Sequence, residues 1–283
     1  MKVVLPAAGL GSRFLRATKS MPKEMLPVLD KPVIQYVVEE AVASGGDDLT
    51  IVTGRSKRAL EDHFDLNPEL AAFADLPGMR ELESLSDRTT LHFVRQRSPR
   101  GLADALLCAE RHVGGETFGV LLGDTINVCD PPLLRQLLDR WRSLGSQGSV
   151  IAVEPVVPEK VSDYGIVAGP ERSPGLWEVR TLVEKPRPTE APGNLGITGA
   201  YLLSPGIFAA IRETPPGHHG EVQLTDALRV LSLREPVYAA AFSGHRYDIG
   251  DRELWLRTNV EFALEDPELG PRLRDWLKGR VGG

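Results

Sequence analysis

The stretch "KVVLPAAGLGSRFLRATKSMPKEMLPV", residues 2–28, decides the fold. It opens on an apolar run, Lys2–Ala8, which reads as a strand buried on both faces. Gly9 and Gly11 follow at once and let the backbone turn tightly and approach a ligand where a Cβ would collide. A dinucleotide fingerprint needs a third glycine, but Phe14 stands there, and the Gly-Lys-Ser/Thr of a P-loop is absent. The two glycines alone describe no more than a strand-to-helix turn. The cations beside them change the reading. Arg13 can fork onto phosphate oxygens, Lys19 and Lys23 follow, and Pro22 and Pro27 stiffen the chain around Lys23. Singly each is a solvated surface charge; together at a strand end they form a clamp for a polyphosphate.

Outward from this turn, short Val/Leu/Ile-rich runs alternate with helical patterns. "KPVIQYVVEEAVASGG" carries Val33, Val37 and Ala41 at spacing four, with a stop at Gly45–Gly46. "LTIVTG" is a strand, and Ser56 is expected to cap the helix "SKRALEDHF". Residues Asp65 to Asp87 read as irregular. Then come strand "TLHFVRQ", helix "LADALLCAERHV", strand "FGVLLGD", helix Pro131–Leu144 and strand "SVIAVEPV". This alternation predicts an α/β fold: a Rossmann-like mixed, mainly parallel sheet with helices on both faces and ligands at the carboxyl ends of its strands. From Val156 onward "YGIVAG", "WEVRTLVEKP" and "LGITGAYLLS" are strands without intervening helices, and predict a small antiparallel extension. Helical patterns return at Pro205–Glu213 and Leu224–Leu231. The expected organisation is one domain over 1–265, with halves of about 1–155 and 156–250, and a helical tail at 266–283. Leu254, Thr258 and Phe262 recur at helical spacing; this stripe either packs on the core or forms a subunit contact.

The totals exclude several classes of function. A net charge of −6 over 283 residues gives no footprint for nucleic acid or an anionic membrane. Two cysteines, Cys108 and Cys129, make no disulfide framework. Pro6 and Gly9 interrupt the N-terminus too early for a signal peptide, and no apolar run reaches the roughly 20 residues of a membrane span. A cytoplasmic protein is expected. The six histidines show no metal-ligand spacing, and no nucleophile motif suggests covalent catalysis.

Carboxylates supply the next clue. Asp124 ends the strand "FGVLLGD", where a Mg²⁺ ligand belongs, although a turn or helix-cap aspartate fits that position equally well. Asp248, in "YDIGD", could supply a second carboxylate, while Asp130 and Asp251 read as helix-start residues. Glu184 and Lys185 sit side by side in "VEKP", where Pro186 could bend both toward one cleft; the alternative is an exposed ion pair. The Gln96 amide can pair with a pyrimidine's carbonyl and N–H, and Gly101 permits close backbone contact.

The segment "LPAAGLGSRFLRATKSMPKEMLPVLDKPVIQYVVEEAVASG" resembles the signature of the sugar-1-phosphate nucleotidylyltransferases, most of all their bacterial UTP–glucose-1-phosphate uridylyltransferase branch. "VTGRSKRALEDHFD", "VRQ…GLADA", "LLGD", "YGIV", "VEKP", "GEVQLTDAL" and "YDIG" continue the likeness in family order. The resemblance implies transfer of a uridylyl group from UTP to glucose 1-phosphate with Mg²⁺ as cofactor, in a homo-oligomer. It places the metal on Asp124 and Asp248, the uracil near Ala8, Gly9, Gln96 and Gly101, and the triphosphate over Gly11 and Arg13, with Lys23 beside it. It assigns Lys185 to the sugar phosphate and Glu184 to the sugar hydroxyls, and surrounds the sugar with Gly165, Thr198 and Gly199. Arg16 replaces a usual proline. Ala103–Asp104 in "GLADA" departs from the uridylyl pattern toward that of the glucose-1-phosphate thymidylyltransferases, which use dTTP; that reading, and a non-catalytic sugar-nucleotide sensor, are the alternatives.

Overall fold

The alternation of strand and helix is realised in the computed structural model, which describes residues 1–281 other than Ala74 and Pro77. The first half of the chain runs β1 (Lys2–Pro6), a small hairpin of β2 (Pro27–Val28) and β3 (Lys31–Pro32), α1 (Val33–Ala43), β4 (Asp48–Thr53), α2 (Arg58–Phe64), α3 (Met79–Arg88), β5 (Thr90–Arg95), α4 (Leu102–Val113), β6 (Phe118–Leu121), β7 (Thr125–Val128), α5 (Leu133–Ser143) and β8 (Ser149–Pro155). The second continues with β9 (Gly165–Ala168), β10 (Glu171–Ser173), β11 (Leu176–Glu178), β12 (Thr181–Glu184), β13 (Leu195–Leu203), α6 (Gly206–Glu213), α7 (Leu224–Leu231), β14 (Val237–Ala241), β15 (His245–Asp248), α8 (Arg252–Glu265) and α9 (Leu269–Val281).

One sheet runs β5-β4-β1-β6-β13-β8-β14-β11-β10, with β9 and β12 branching from β13. β5, β4, β1 and β6 are parallel, as are β8 and β14, whereas β13 is antiparallel to both β6 and β8. Side-chain alternation along β1 feeds two cores. Val4 joins the core beneath α4, α6 and α7, whereas Val3 and Leu5 join the one beneath α1, α2 and α5. Burial on both faces explains why these strands read as continuous apolar runs.

Four sequence expectations need correction. Ser56 does not cap α2: it takes a left-handed φ of 62°, and Lys57 occupies the N-cap without a capping side chain. The side chain of Lys57 is instead drawn inward to Glu24. The stretch from Asp65 to Asp87 is not wholly irregular, because a 3-10 turn covers Pro68–Phe73 and α3 follows. Leu82 and Leu85, three apart, anchor α3 to the core; the charges crowded around them hid that period. "LGITGAYLLS" is not an appendage either. As β13 it sits in the middle of the main sheet, and only its first residues carry β9 and, through it, β12. Nor does Asp130 start a helix, since Pro132 holds the N-cap of α5, whereas Asp251 does cap α8 by accepting from the N–H groups of Glu253 and Leu254.

The stripe of Thr258 and Phe262 packs inward. Trp255 and Phe262 cover a small core of Val28, Val33, Ile126 and Ile249, and Trp255 Nε1 donates to the carbonyl of Pro27 at 2.9 Å. α9 keeps Leu269 and Trp276 exposed. No helix among the described residues is long and apolar enough to cross a membrane.

Candidate active site

At the carboxyl end of β1 the chain enters the glycine turn. Gly11 has a φ of 64°, and a Cβ there would stand 3.0 Å from Cβ of Lys23, so both backbone and neighbour exclude a side chain. A 3-10 turn, Ser12–Phe14, then exposes Arg13 to the cleft and buries Phe14. The ring of Phe14 meets Trp255 edge-on at 6.5 Å, which accounts for an aromatic where a dinucleotide fold would need glycine.

Two adjoining cavities open along these strand ends, and Gly9 lines both. The larger brings together Gly11, Arg13, Lys23, Asp124 and Asp248 with Gly165, Glu184, Lys185, Thr198 and Gly199. The smaller is lined by Ala8, Lys19, Gly54, Lys57 and Gln96 among others. Of the residues that the resemblance assigns to substrate or metal, Gly101 alone lines neither. Its φ is 107°, and a Cβ there would come within 2.6 Å of the Val222 carbonyl oxygen, so a close backbone crossing demands glycine at this point. Its carbonyl nonetheless serves the smaller cavity, accepting a 3.2 Å bond from Gln96 Nε2. The same nitrogen donates to Asp104 Oδ2 at 2.7 Å. With both amide hydrogens committed, Gln96 keeps its Oε1 as a hydrogen-bond acceptor.

Asp124 and Asp248 become neighbours through a two-stranded ribbon. β15 pairs antiparallel with β7 so that Asp248 faces Thr125, and the Ile249 N–H donates to the Asp124 carbonyl at 3.0 Å. Lys23 forms a salt bridge to Asp124 Oδ2. Burial works against the charge on Asp124, but Lys23 outweighs it and holds the carboxyl below its usual range. Burial also opposes the charge on Lys23, yet Asp124, Glu24 and Asp248 together keep the amine above its ordinary value. Asp248 moves the other way: burial first, then the negative charge of Asp124, raise it against the pull of Arg246. Two oxygen-donor side chains side by side, one disfavoured as an anion by the other, suit a hard divalent cation.

Behind this pair lies a buried cation that the sequence reading passed over. Arg246 donates to Glu154 Oε1 at 2.5 and 3.1 Å, to the Tyr164 hydroxyl at 3.1 Å and to Asp248 Oδ2 at 3.4 Å. The signal was its place two residues before Asp248 on one strand, hence on the same face. A second buried pair, Lys57 Nζ to Glu24 Oε2 at 2.5 Å, underpins the loop that carries Lys23. Burial pushes Glu24 up and Lys57 down from their ordinary values.

On the opposite wall, Lys185 has a φ of 45°. This left-handed residue turns two consecutive side chains into one cleft, so the bend occurs at Lys185 itself, before Pro186. Glu184 Oε2 accepts from Thr225 Oγ1 at 2.6 Å, and Lys185 Nζ lies 3.6 Å from Glu184 Oε1. Thr225 belongs to "GEVQLTDAL", a motif noted in the sequence but given no role. Thr198 and Gly199 lie where the β13–β8 register shifts between Ile197 and Tyr201. The Thr198 hydroxyl is turned into the sheet, donating to the Ala152 carbonyl at 3.1 Å, so its contribution to the cleft is shape.

The arrangement of cations, paired carboxylates and an amide acceptor agrees with comparison to known proteins. The family model described as nucleotidyl transferase matches residues 2–263. UTP–glucose-1-phosphate uridylyltransferase YngB of Bacillus subtilis is 46% identical over 281 residues, covering 98% of this chain and 94% of the relative. The UTP–glucose-1-phosphate uridylyltransferase of Streptococcus pneumoniae is 47% identical over 98% of this chain and 94% of its own. Among solved structures, a UDP-glucose pyrophosphorylase complexed with UDP-glucose superposes with a TM-score of 0.87 at 38% identity, over 94% of this chain and 99% of that one. UTP-bound UGPase from Acinetobacter baumannii gives a TM-score of 0.84 at 36% identity, over 98% of both chains.

Proposed function

This chain belongs to the nucleotidyl transferase family, and from that premise we propose that it transfers a uridylyl group from UTP to glucose 1-phosphate, forming UDP-glucose and pyrophosphate. The observation that carries the reading is the single cleft in which Arg13, Lys23, Asp124, Asp248, Glu184 and Lys185 converge. Retention of all these ionic groups in one place argues against a sensor that has lost its chemistry. Relatives at 46% and 47% identity are named uridylyltransferases, which supports UTP over dTTP.

The sugar phosphate is already an anionic nucleophile and needs no general base. The obstacle is bringing one anion in line with the α-phosphorus of another, so catalysis consists of positioning and charge neutralisation. Lys185 orients the attacking phosphate, and Glu184, held by Thr225, accepts from sugar hydroxyls. Gln96 presents Oε1 to the N3–H of uracil, while Ala8 and Gly9 let the base lie against backbone. Asp124 and Asp248 would hold a Mg²⁺ ion, which when bound would neutralise phosphate charge. Lys23, released from Asp124 as phosphates enter, and Arg13 stabilise the charge on the departing pyrophosphate.

Pyrophosphate release with glucose 1-phosphate and Mg²⁺ tests this reading, comparing UTP with dTTP, CTP, ATP and GTP. A preference for UTP is expected. Preference for dTTP would move the chain to the thymidylyl branch, and silence with every triphosphate would overturn the proposal.

A further inference from the structure

The fold assembles a second cluster of ligating side chains, which no spacing in the sequence announced. β4 begins at Asp48, the end of that strand remote from Gly54 and the smaller cavity. His92 lies on β5, where it pairs in register with Thr50, on the sheet face that α4 covers. His112 comes from the last turn of α4. Their side chains converge: His112 Nε2 is 2.6 Å and His92 Nε2 3.6 Å from Asp48 Oδ1. The two imidazole rings approach to 4.0 Å between centroids, tilted by 49°. One ligand atom from each of the three residues lies within 4.8 Å of the others.

We propose that Asp48, His92 and His112 form a binding site for a borderline divalent transition-metal ion of the Zn²⁺ class, separate from the oxygen-donor site of the cleft. The donor set is the first argument. Two imidazole nitrogens and one carboxylate oxygen match Zn²⁺ and its neighbours and suit Mg²⁺ poorly. The geometry is the second. Ligand atoms around a tetrahedral zinc stand roughly 3.3 Å apart, and the separations of 2.6 and 3.6 Å straddle that value. Opening the His112–Asp48 contact by less than an ångström or so would admit the ion in place of the shared proton. The surroundings are the third. The site lies at the carboxyl end of α4, where the helix dipole favours a cation. Lys2, the nearby cation on β1, is already held by the Val113 carbonyl and by Glu116. His92 is 41% exposed and His112 26%, so an ion can reach both. Three protein ligands leave a further position for water. Such an ion would clip β4, edge strand β5 and α4 together at the end of the sheet away from the cleft.

The test is calorimetric titration of the chelator-stripped full chain with Zn²⁺ in saturating Mg²⁺, repeated with His92→Ala, His112→Ala and Asp124→Asn. Co²⁺ serves as a second probe through its ligand-field absorption, and circular dichroism checks the fold of each variant. The expected result is one Zn²⁺ per chain, weakened about tenfold or more in either histidine variant and unchanged in Asp124→Asn. Absence of Zn²⁺ binding, binding indifferent to both histidines, or binding lost only in Asp124→Asn would each overturn the proposal. If His112→Ala does not fold, His92→Ala on the half-exposed edge strand decides the matter alone. None of these readouts depends on uridylyl transfer.

Discussion

The hydroxyl of Thr225 donates to Glu184 Oε2 across 2.6 Å, joining the first turn of α7 to the last residue of β12. Glu184 thereby has one oxygen fixed and the other, Oε1, directed toward Lys185 at 3.6 Å. Thr225→Val keeps the shape and removes the donor. The KM for glucose 1-phosphate is expected to rise about 5- to 20-fold, the loss of one charged hydrogen bond, with the KM for UTP unchanged. Equal rises in both constants would deny the hydroxyl its role in placing the sugar.

Asp248→Asn separates catalysis from stability. Burial and the neighbouring Asp124 already disfavour a charge at position 248. Removing it is therefore expected to leave Tm unchanged or slightly higher, while kcat falls about 100-fold or more at fixed Mg²⁺. Parallel thermal denaturation and steady-state turnover measure both. A fall in Tm with near-normal kcat would reverse the assignment.

The Glu24–Lys57 pair is a foundation beneath the Lys23 loop, and its removal should be felt as stability. Glu24 is 1% and Lys57 6% exposed, so Glu24→Gln strands a buried ammonium without its anion. Breaking such a pair costs about 3–5 kcal/mol. Urea denaturation should show that loss in Glu24→Gln and recover most of it in Glu24→Gln/Lys57→Met, where both charges are gone.

Glu40 gives the fold a pH dependence of its own. Burial raises its carboxyl to about 7, against the hydrogen bonds from Asn127 and the Leu134 N–H. An acid whose folded value lies above its unfolded one binds more protons when folded. Its contribution is therefore present below the ordinary 4.5 and lost as pH rises toward 7. The shift corresponds to a loss on the order of 3 kcal/mol by pH 8. Asn127 Oδ1, on the amide whose nitrogen donates to Glu40 Oε2, is itself a buried acceptor without a hydrogen-bond partner among the described residues. Glu40→Gln is expected to flatten the decline between pH 5 and 8 in denaturation midpoints; a variant curve parallel to the parent's would exclude this group as its source.

Asp104 should act on the base through Gln96. Without the carboxylate that anchors Nε2, the amide is free to rotate and present a donor to the uracil N3–H. Asp104→Ala is expected to lower kcat/KM for UTP about tenfold and to narrow the preference for UTP over CTP. The ratio of the two specificity constants, measured before and after substitution, provides the check.

The parts legible in sequence were those in which one residue type serves a local need. Continuous apolar strands, the Gly9–Gly11 turn and Asp124 at a strand end could all be read from their immediate neighbours. What stayed hidden depends on partners distant in the chain. Arg246 matters because Glu154 and Tyr164 surround it. Lys57 looked like part of a helix start until Glu24 drew it inward. Asp48, His92 and His112 share no spacing and meet only because β4 pairs with β5 beneath α4. β13 was misplaced because strands buried on both faces carry no mark of which sheet position they occupy.

That position of β13 bears on how this protein could be rebuilt. The strand runs against both β6 and β8, and the Leu122 N–H donates to the Gly199 carbonyl at 3.1 Å, so one ladder joins the two halves of the chain at the wall of the larger cavity. A chimera joined near residue 155 would force strands from different parents to mate along the centre of the sheet. Exchanging residues 185–194, which link β12 to β13, leaves every rung of that ladder native. Recombination between relatives should accordingly be tolerated within the 185–194 loop, while half-for-half exchange yields insoluble chains.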